Sequence, residues 1–357
     1  MDMTTMKFDL ASLEAPPAVA VLDRVAGGFK AFQALRAGYG SGLFDWLDRN
    51  GPAERAVIAT ALKLRGAHLA GFLQSLEDLG LVSRQGSVYT LVPEMREVLV
   101  AGSAWCQAAT IERLLAPECG WSDLRGFLSE DWTAASAPVS PSPRQHPFLV
   151  EARLLATRLA ARERELRGGA KPRRLLCFDG SGGMAAAAIC LAQPGLDASV
   201  IVAPGAVREA MELLDACGLA ERCVVHPGSP LEISVQASYD RVVLFHALYP
   251  VRKSMGDALA AVAARLAPGG ELCSAHWFCL EACETAPGGL RDLDRAVLTD
   301  SHPLCHVETF GERFVAAGLG DEGREDIDGP CGHLKLHFAS RALNPVVVSP
   351  YLRCSRC

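Results

Sequence analysis

With 357 residues, half of them hydrophobic and 21% charged, the chain is long enough for two domains and too apolar to be disordered. A formal net charge of −6 leaves no electrostatic footprint for DNA or RNA, and the basic cluster Lys171-Pro172-Arg173-Arg174 is too short to make one. No stretch reaches the roughly 18 uninterrupted apolar residues that span a bilayer. The opening MDMTTMKFDL lacks a signal-peptide pattern, so a cytoplasmic protein with no membrane or nucleic-acid partner is expected.

In chain order, residues 17–48 read as helical, with Val21, Val25, Phe29, Phe32, Leu35, Leu43 and Leu47 at intervals of three and four and a break at Gly38 to Gly42. Helices are predicted near 52–62 and 65–79. Then GLVSRQGSVYTLV places two short extended pieces around Gln85-Gly86. Helix, helix and hairpin make a winged helix. Its would-be recognition helix, RGAHLAGFLQSLEDLG, carries Glu77 and Asp78, which repel phosphate, so packing or dimerisation is the expected use.

TAASAPVSPSPRQHP, residues 133–147, reads as a Pro/Ser-rich loop, either a linker or a cover for a site, and 148–167 as a helix. From Arg174 the pattern alternates. RLLCF, ASVIVA, RCVVHPG, YDRVVLFHAL and ELCSAHWF are strands, separated by helices such as AAAAICLA, VREAMELLDACG and MGDALAAVAARL. Strands that are almost continuously apolar belong to a parallel sheet covered on both faces, and ligands bind at the carboxyl ends of such strands. Chemistry is therefore sought after Phe178, Val202, Val225, Phe245 and Ala275. The expected organisation is a helical and winged-helix domain over 1–132, the loop 133–147, an α/β Rossmann-like domain over 148–343 and a tail, 344–357.

GSGLFDWL and FLQSLEDLGLVSRQGSVYTLV in the first half, with VREA, ARLAPGGEL and FGERFVAAGL in the second, resemble the class I S-adenosylmethionine (SAM)-dependent methyltransferases. The resemblance is closest to the small-molecule O-methyltransferases, which join a winged-helix dimerisation domain to a Rossmann-like catalytic domain, and it covers roughly residues 20–340. It implies a homodimer and SAM as cofactor. The donor would be held near Asp179, Gly180, Ser181 and Gly182 of CFDGSGGMAAAA, near Ala203 after the second strand and near Ser229 after the third. The family's acidic residue followed by alternating glycines can be laid on CFDGSGGMAAAA in two registers, neither a full match: one keeps Gly180 and Gly182 but puts Phe178 at the acidic position and Met184 at the last glycine, the other uses Asp179 and Gly183 but puts Ser181 and Ala185 at glycine positions. Ala203 stands where the family has a carboxylate for the ribose hydroxyls.

The resemblance makes His246 of LFHALYP the general base on an acceptor hydroxyl, although Ala247 and Leu248 replace the aspartate and tryptophan that follow it in the family. A histidine suits proton abstraction near pH 7; a structural histidine kept after loss of activity is the other reading. His276, Trp277, His302 and His306 would line the acceptor pocket.

Thirteen cysteines, scattered and odd in number, are expected to be reduced, many of them buried as small hydrophobes. CSAHWFCLEAC and SHPLCH offer a metal alternative, Cys279, Cys283, Cys305, His276 and His302, with Cys279 and Cys283 on one helical face. Its spacing fits no standard signature, and no metal is expected. The tail's CSRC, Cys354 and Cys357, has redox spacing.

The function expected is methyl transfer from SAM to a hydroxyl of a small aromatic or polyketide-like metabolite. One alternative is a methyltransferase-like protein that has lost methyl transfer and catalyses another reaction or binds a metal or haem. The other is a non-enzymatic partner or regulator.

Overall fold

The computed structural model describes residues 16–132, 143–166, 173–279 and 289–343, so Cys283, Cys354, Cys357 and most of the expected 133–147 loop lie outside the described residues. The chain forms two compact units, one through Glu112 and one from Arg113. The expected boundary at 132 falls inside the second.

The first unit begins with α1 (Val19–Gly40) and α2 (Leu43–Asn50). A Cβ on Gly38 would lie 2.4 Å from the Phe44 ring, so glycine lets Phe44 fold against the end of α1. Strand β1 (Ala53–Glu54), α3 (Arg55–Ala61), α4 (Gly66–Asp78), β2 (Val82–Gln85) and β3 (Val88–Leu91) follow, then α5 (Arg96–Leu99) and α6 (Ala108–Arg113). The strands form an antiparallel sheet in the order β1-β3-β2. Gly86, at φ +61°, takes the first position of the two-residue β2–β3 turn, where a positive φ is required. Leu69, Leu73 and Leu76 recur at helical spacing on α4 and meet Leu43, Leu47, Ile58, Val82 and Leu91 in one core. By contrast, Val21, Leu22, Val25 and Phe29 of α1 are 50%, 69%, 72% and 62% exposed.

The second unit contains α7 (Leu124–Phe127), α8 (Leu149–Leu166), β4 (Arg174–Asp179), α9 (Met184–Ala192), β5 (Asp197–Val202), α10 (Val207–Ala216), β6 (Cys223–Pro227), β7 (Tyr239–Phe245), α11 (Met255–Ala263) and β8 (Leu266–His276). It ends with α12 (Gly289–Thr299), α13 (Phe310–Ala316), β9 (Gly320–Gly329) and β10 (Gly332–Ser340). Seven strands form one sheet in the order β6-β5-β4-β7-β8-β10-β9. The first five are parallel to their neighbours, and β10 is antiparallel to both β8 and β9. The five parallel strands match the five expected from their apolar runs; the antiparallel pair was not anticipated.

The chain builds outward from β4 to β6, then returns to lay β7 on the other side of β4. The gap between the ends of β4 and β7 is thus the sheet's topological switch point, where loops diverge and leave a crevice.

A charged layer runs beneath α8. Arg241 is fully buried and donates to Glu271 at 3.1 Å, Arg162 donates to the same carboxylate at 2.7 Å, and the Arg162 guanidinium lies 4.0 Å from the Phe338 ring centroid. Such charges hold together only because each is paired.

Candidate active site

Strand β4 ends on Asp179, and its carboxylate organises the turn that follows. Ser181 donates to it through both backbone N–H and hydroxyl, and Ala186 N–H at 2.9 Å. Burial pushes the carboxyl above its usual 3.8, and these hydrogen bonds oppose the push. Asp179 closes β4, and Phe178 before it is buried in the core.

The glycines of the turn have different reasons. A Cβ on Gly180 would meet the His246 carbonyl oxygen at 2.5 Å, and Gly180 N–H donates to Phe245 O at 2.7 Å. Glycine is therefore required there by β7. Gly183, at φ +100°, packs on Ala210 of α10. Gly182 has φ +64° and nothing within 4 Å of its Cβ position, which leaves an open backbone face. Met184 is buried in the core at the start of α9.

His246 follows β7 with φ +50°, a left-handed conformation uncommon outside glycine. It is 3% exposed and stacked among aromatic rings, 4.2 Å from Trp277 and 5.1 Å from Phe148 between centroids. Its Nδ1 is 2.7 Å from the Tyr249 hydroxyl and its Nε2 3.1 Å from Glu151 Oε2. Trp277 N–H donates to the Tyr249 oxygen at 2.8 Å and Trp277 Nε1–H to Glu151 Oε1 at 3.1 Å.

One proton arrangement satisfies all of them. Tyr249 accepts from Trp277 and donates to Nδ1, so Nε2 carries the hydrogen and donates to Glu151. Burial holds the Tyr249 phenol well above 10, so it stays protonated.

His276 and Trp277 are fully buried at the end of β8. His276 Nε2 accepts from Leu248 N–H at 3.0 Å, and its Nδ1 pairs with Ser274 Oγ at 2.9 Å. Burial, with His246 and His337 adding to it, pushes this imidazole well below 6.5, so it is neutral and braces the 246–249 turn. Arg295 of α12, also fully buried, sits 5.5 Å from the Trp277 ring and donates to Cys331 O at 2.7 Å.

The side chains of Ala203, Ser229, His302 and His306 take no part in the hydrogen bonds of this cluster. Ala203 is exposed at the end of β5, with no carboxylate of its own to offer. The Ser229 hydroxyl accepts from Leu231 and Glu232 N–H, both at 3.2 Å, and so closes its own turn. His302 and His306 are exposed before α13, His306 with φ +62°. Among the described residues no three or more His, Cys, Asp or Glu side chains gather as a metal would require. Cys279 lies in extended chain, bridged through Phe278 to Leu304, rather than on the expected helical face.

Glu151, Tyr249 and Phe148 were missed in the sequence. Glu151 carried a signal: it falls on the apolar stripe of α8 with Phe148, Ala152, Leu155 and Leu159, where a carboxylate needs a partner.

No protein-family model matches the chain, and no curated protein matches it in sequence. Solved structures do match. An O-methyltransferase family protein from Burkholderia thailandensis has 19% identity and a TM-score of 0.72, over 92% of this chain and 99% of its own. The mitomycin 7-O-methyltransferase MmcR has 19% identity and a TM-score of 0.64, over 91% and 98%. Human N-acetylserotonin methyltransferase, solved in complex with SAM, has 16% identity and a TM-score of 0.60, over 92% and 99%. The chain has the fold of these methyltransferases, as its sequence resemblance implied.

Proposed function

We propose that this protein transfers a methyl group from SAM to a hydroxyl of a small aromatic or polyketide-like metabolite. The observation that carries this reading is the seating of Gly180 on the His246 carbonyl, which puts a glycine loop and an imidazole–phenol–carboxylate cluster at one switch point.

The residues fit the donor in part. The open backbone at Gly182 suits close approach by a ligand, and Asp179 with Ser181 holds that loop in shape. Ala203 supplies no acceptor for ribose hydroxyls, which leaves that half of the donor to backbone and to the turn at Ser229. When bound, SAM supplies an electrophilic methyl carbon on a sulfonium.

The chain's own part is proton removal and alignment. An acceptor hydroxyl reaching Tyr249 gives up its proton to the phenolic oxygen as Tyr249 passes its own to His246 Nδ1. Glu151, hydrogen-bonded at Nε2–H, stabilises the imidazolium that forms. Trp277, anchored at both nitrogens, holds Tyr249 and Glu151 at the spacing this requires. His302 and His306, exposed near the same end of the unit, are assigned to the acceptor side.

We assign the first unit to winged-helix dimerisation: its two helices and hairpin support that reading, as does the uncovered apolar face of α1, in a cytoplasmic homodimer. A second reading, a repurposed fold without methyl transfer, draws on Ala203 and on the engagement of both His246 nitrogens.

Calorimetric titration with SAM, followed by a labelled-methyl assay on hydroxylated aromatics, separates the two readings. Binding and transfer are expected, with loss of turnover in His246→Ala and a large fall in Tyr249→Phe at unchanged donor affinity. No binding at millimolar SAM overturns the methyltransferase reading.

A further inference from the structure

Cys279 and Cys305 come from segments far apart in sequence, yet their sulfurs are 3.6 Å apart. The contact is set by backbone. Phe278 and Leu304 form a parallel bridge in which Cys279 N–H donates to Leu304 O at 2.7 Å and Leu304 N–H to Trp277 O at 3.1 Å. Each cysteine is the next residue after a bridging one, so the two meet across this isolated bridge. Neighbouring strands stand about 4.8 Å apart, inside the roughly 4.4–6.8 Å between Cα atoms that a disulfide accepts.

We propose that Cys279 and Cys305 are a modification site: a dithiol that peroxide closes to a disulfide, tying the chain beyond β8 to the segment before α13. This inference goes beyond the proposed methyl transfer and does not depend on it.

The two sulfurs divide the work by exposure. Cys305 is the one exposed cysteine among the described residues, and Cys279 is 7% exposed beside it. The Cys305 thiolate attacks hydrogen peroxide, taking one oxygen and releasing hydroxide, to give a sulfenic acid. The Cys279 sulfur then attacks Cys305 and displaces that oxygen as water. Two thiols and one peroxide become one disulfide and two waters, the two electrons passing from sulfur to the peroxide oxygens.

No other described pair joins access to reach: Cys190 and Cys223 hydrogen-bond through their thiols, but both are buried. Cys177, Cys190, Cys223 and Cys273 are buried in or against the sheet, and burial pushes the Cys177 and Cys273 thiols upward, away from the reactive thiolate. Burial also raises Cys331, to about 12.

The test uses the full chain with Cys354→Ser and Cys357→Ser, which removes the tail's own thiols. The reduced protein is treated with stoichiometric hydrogen peroxide, blocked with N-ethylmaleimide, digested and mapped by mass spectrometry. Two thiols per chain should disappear, with one cross-link joining the peptides that contain Cys279 and Cys305. Cys305→Ser and Cys279→Ser should each abolish it, and Cys283→Ser should leave it intact. Closing the loop from 279 to 305 should also raise the melting temperature by roughly 5 °C, reversibly with dithiothreitol. Oxidation of Cys305 to a sulfinic acid without a cross-link, or a cross-link that persists in Cys279→Ser, overturns the proposal.

Discussion

Alanine at position 203 is where the site departs most from a donor-binding strand end. Two ribose hydroxyls need an acceptor, and a hydrogen bond to a charged group contributes about 1.5–3 kcal/mol. Because Ala203 is exposed, a carboxylate can be placed there without crowding the core. Ala203→Asp should tighten SAM binding by about tenfold to a hundredfold in calorimetry, and unchanged affinity would mean that the donor does not lie along β5. The same scale shows what single residues disclosed in advance. His246 stood out by type and place; Tyr249 did not, lying in an apolar run, and the place of Glu151 on the apolar stripe of α8 calls for a partner without naming it. Only the closed fold brings 151, 246, 249 and 277 together. Gly180 was legible as a glycine of a ligand loop, whereas its reason is the carbonyl of a neighbouring strand.

At the scale of elements, the buried parallel strands were readable because each is a short apolar run between turn residues. Strand β9 was not. Its sequence GDEGREDIDG is mostly charged and exposed, as suits an edge strand kept from pairing with another chain, and carries no apolar alternation. Helix α1 was legible as a helix, but only its later apolar positions, such as Leu35, meet the core of the first unit, and the earlier ones stay uncovered. Val25 and Phe29, one turn apart, are 72% and 62% exposed, a patch that a second copy would cover. Val25→Glu with Phe29→Glu should convert a dimer to a monomer in light scattering, with the far-ultraviolet circular dichroism unchanged. A wild-type protein that is monomeric at tens of micromolar would refute the assignment.

The whole molecule carries an acid sensitivity in its buried imidazoles. His146 and His337 are both lowered from 6.5 to about 4, chiefly by burial, and His276 is lowered well below 6.5 for the same first reason. Below pH 6.5 the unfolded chain takes up protons that the folded chain refuses until about 4. Their stabilisation is therefore complete above 6.5 and is lost as pH falls through that window, on the order of 3 kcal/mol for each ring shifted to about 4. Asp179 and Asp300 run the other way, since burial raises their carboxyls and favours the folded state as the pH drops towards 3.8, whereas Glu325, lowered chiefly by its hydrogen bond with Arg158, loses stabilisation as the pH falls below 4.5. The melting temperature should fall clearly between pH 7.5 and pH 5. His337 lies among Phe278, Phe310 and Phe314, where burial outweighs the opposing effect of the Val307 backbone on its ring. His337→Phe should therefore narrow the gap between the two pH values, and an unchanged gap would remove His337 from the account.

The contact between Gly180 and the turn at His246 makes the imidazole a built-in reporter. With no side chain between them and the Gly180 amide bonded to Phe245, a displacement of the loop is passed to the histidine backbone through atoms already touching. The histidine is in turn clamped at both nitrogens, so the disturbance reaches its ring protons rather than dissipating in free rotation. A ligand settling on the loop would announce itself in the nuclear magnetic resonance of one aromatic side chain, before any acceptor is known.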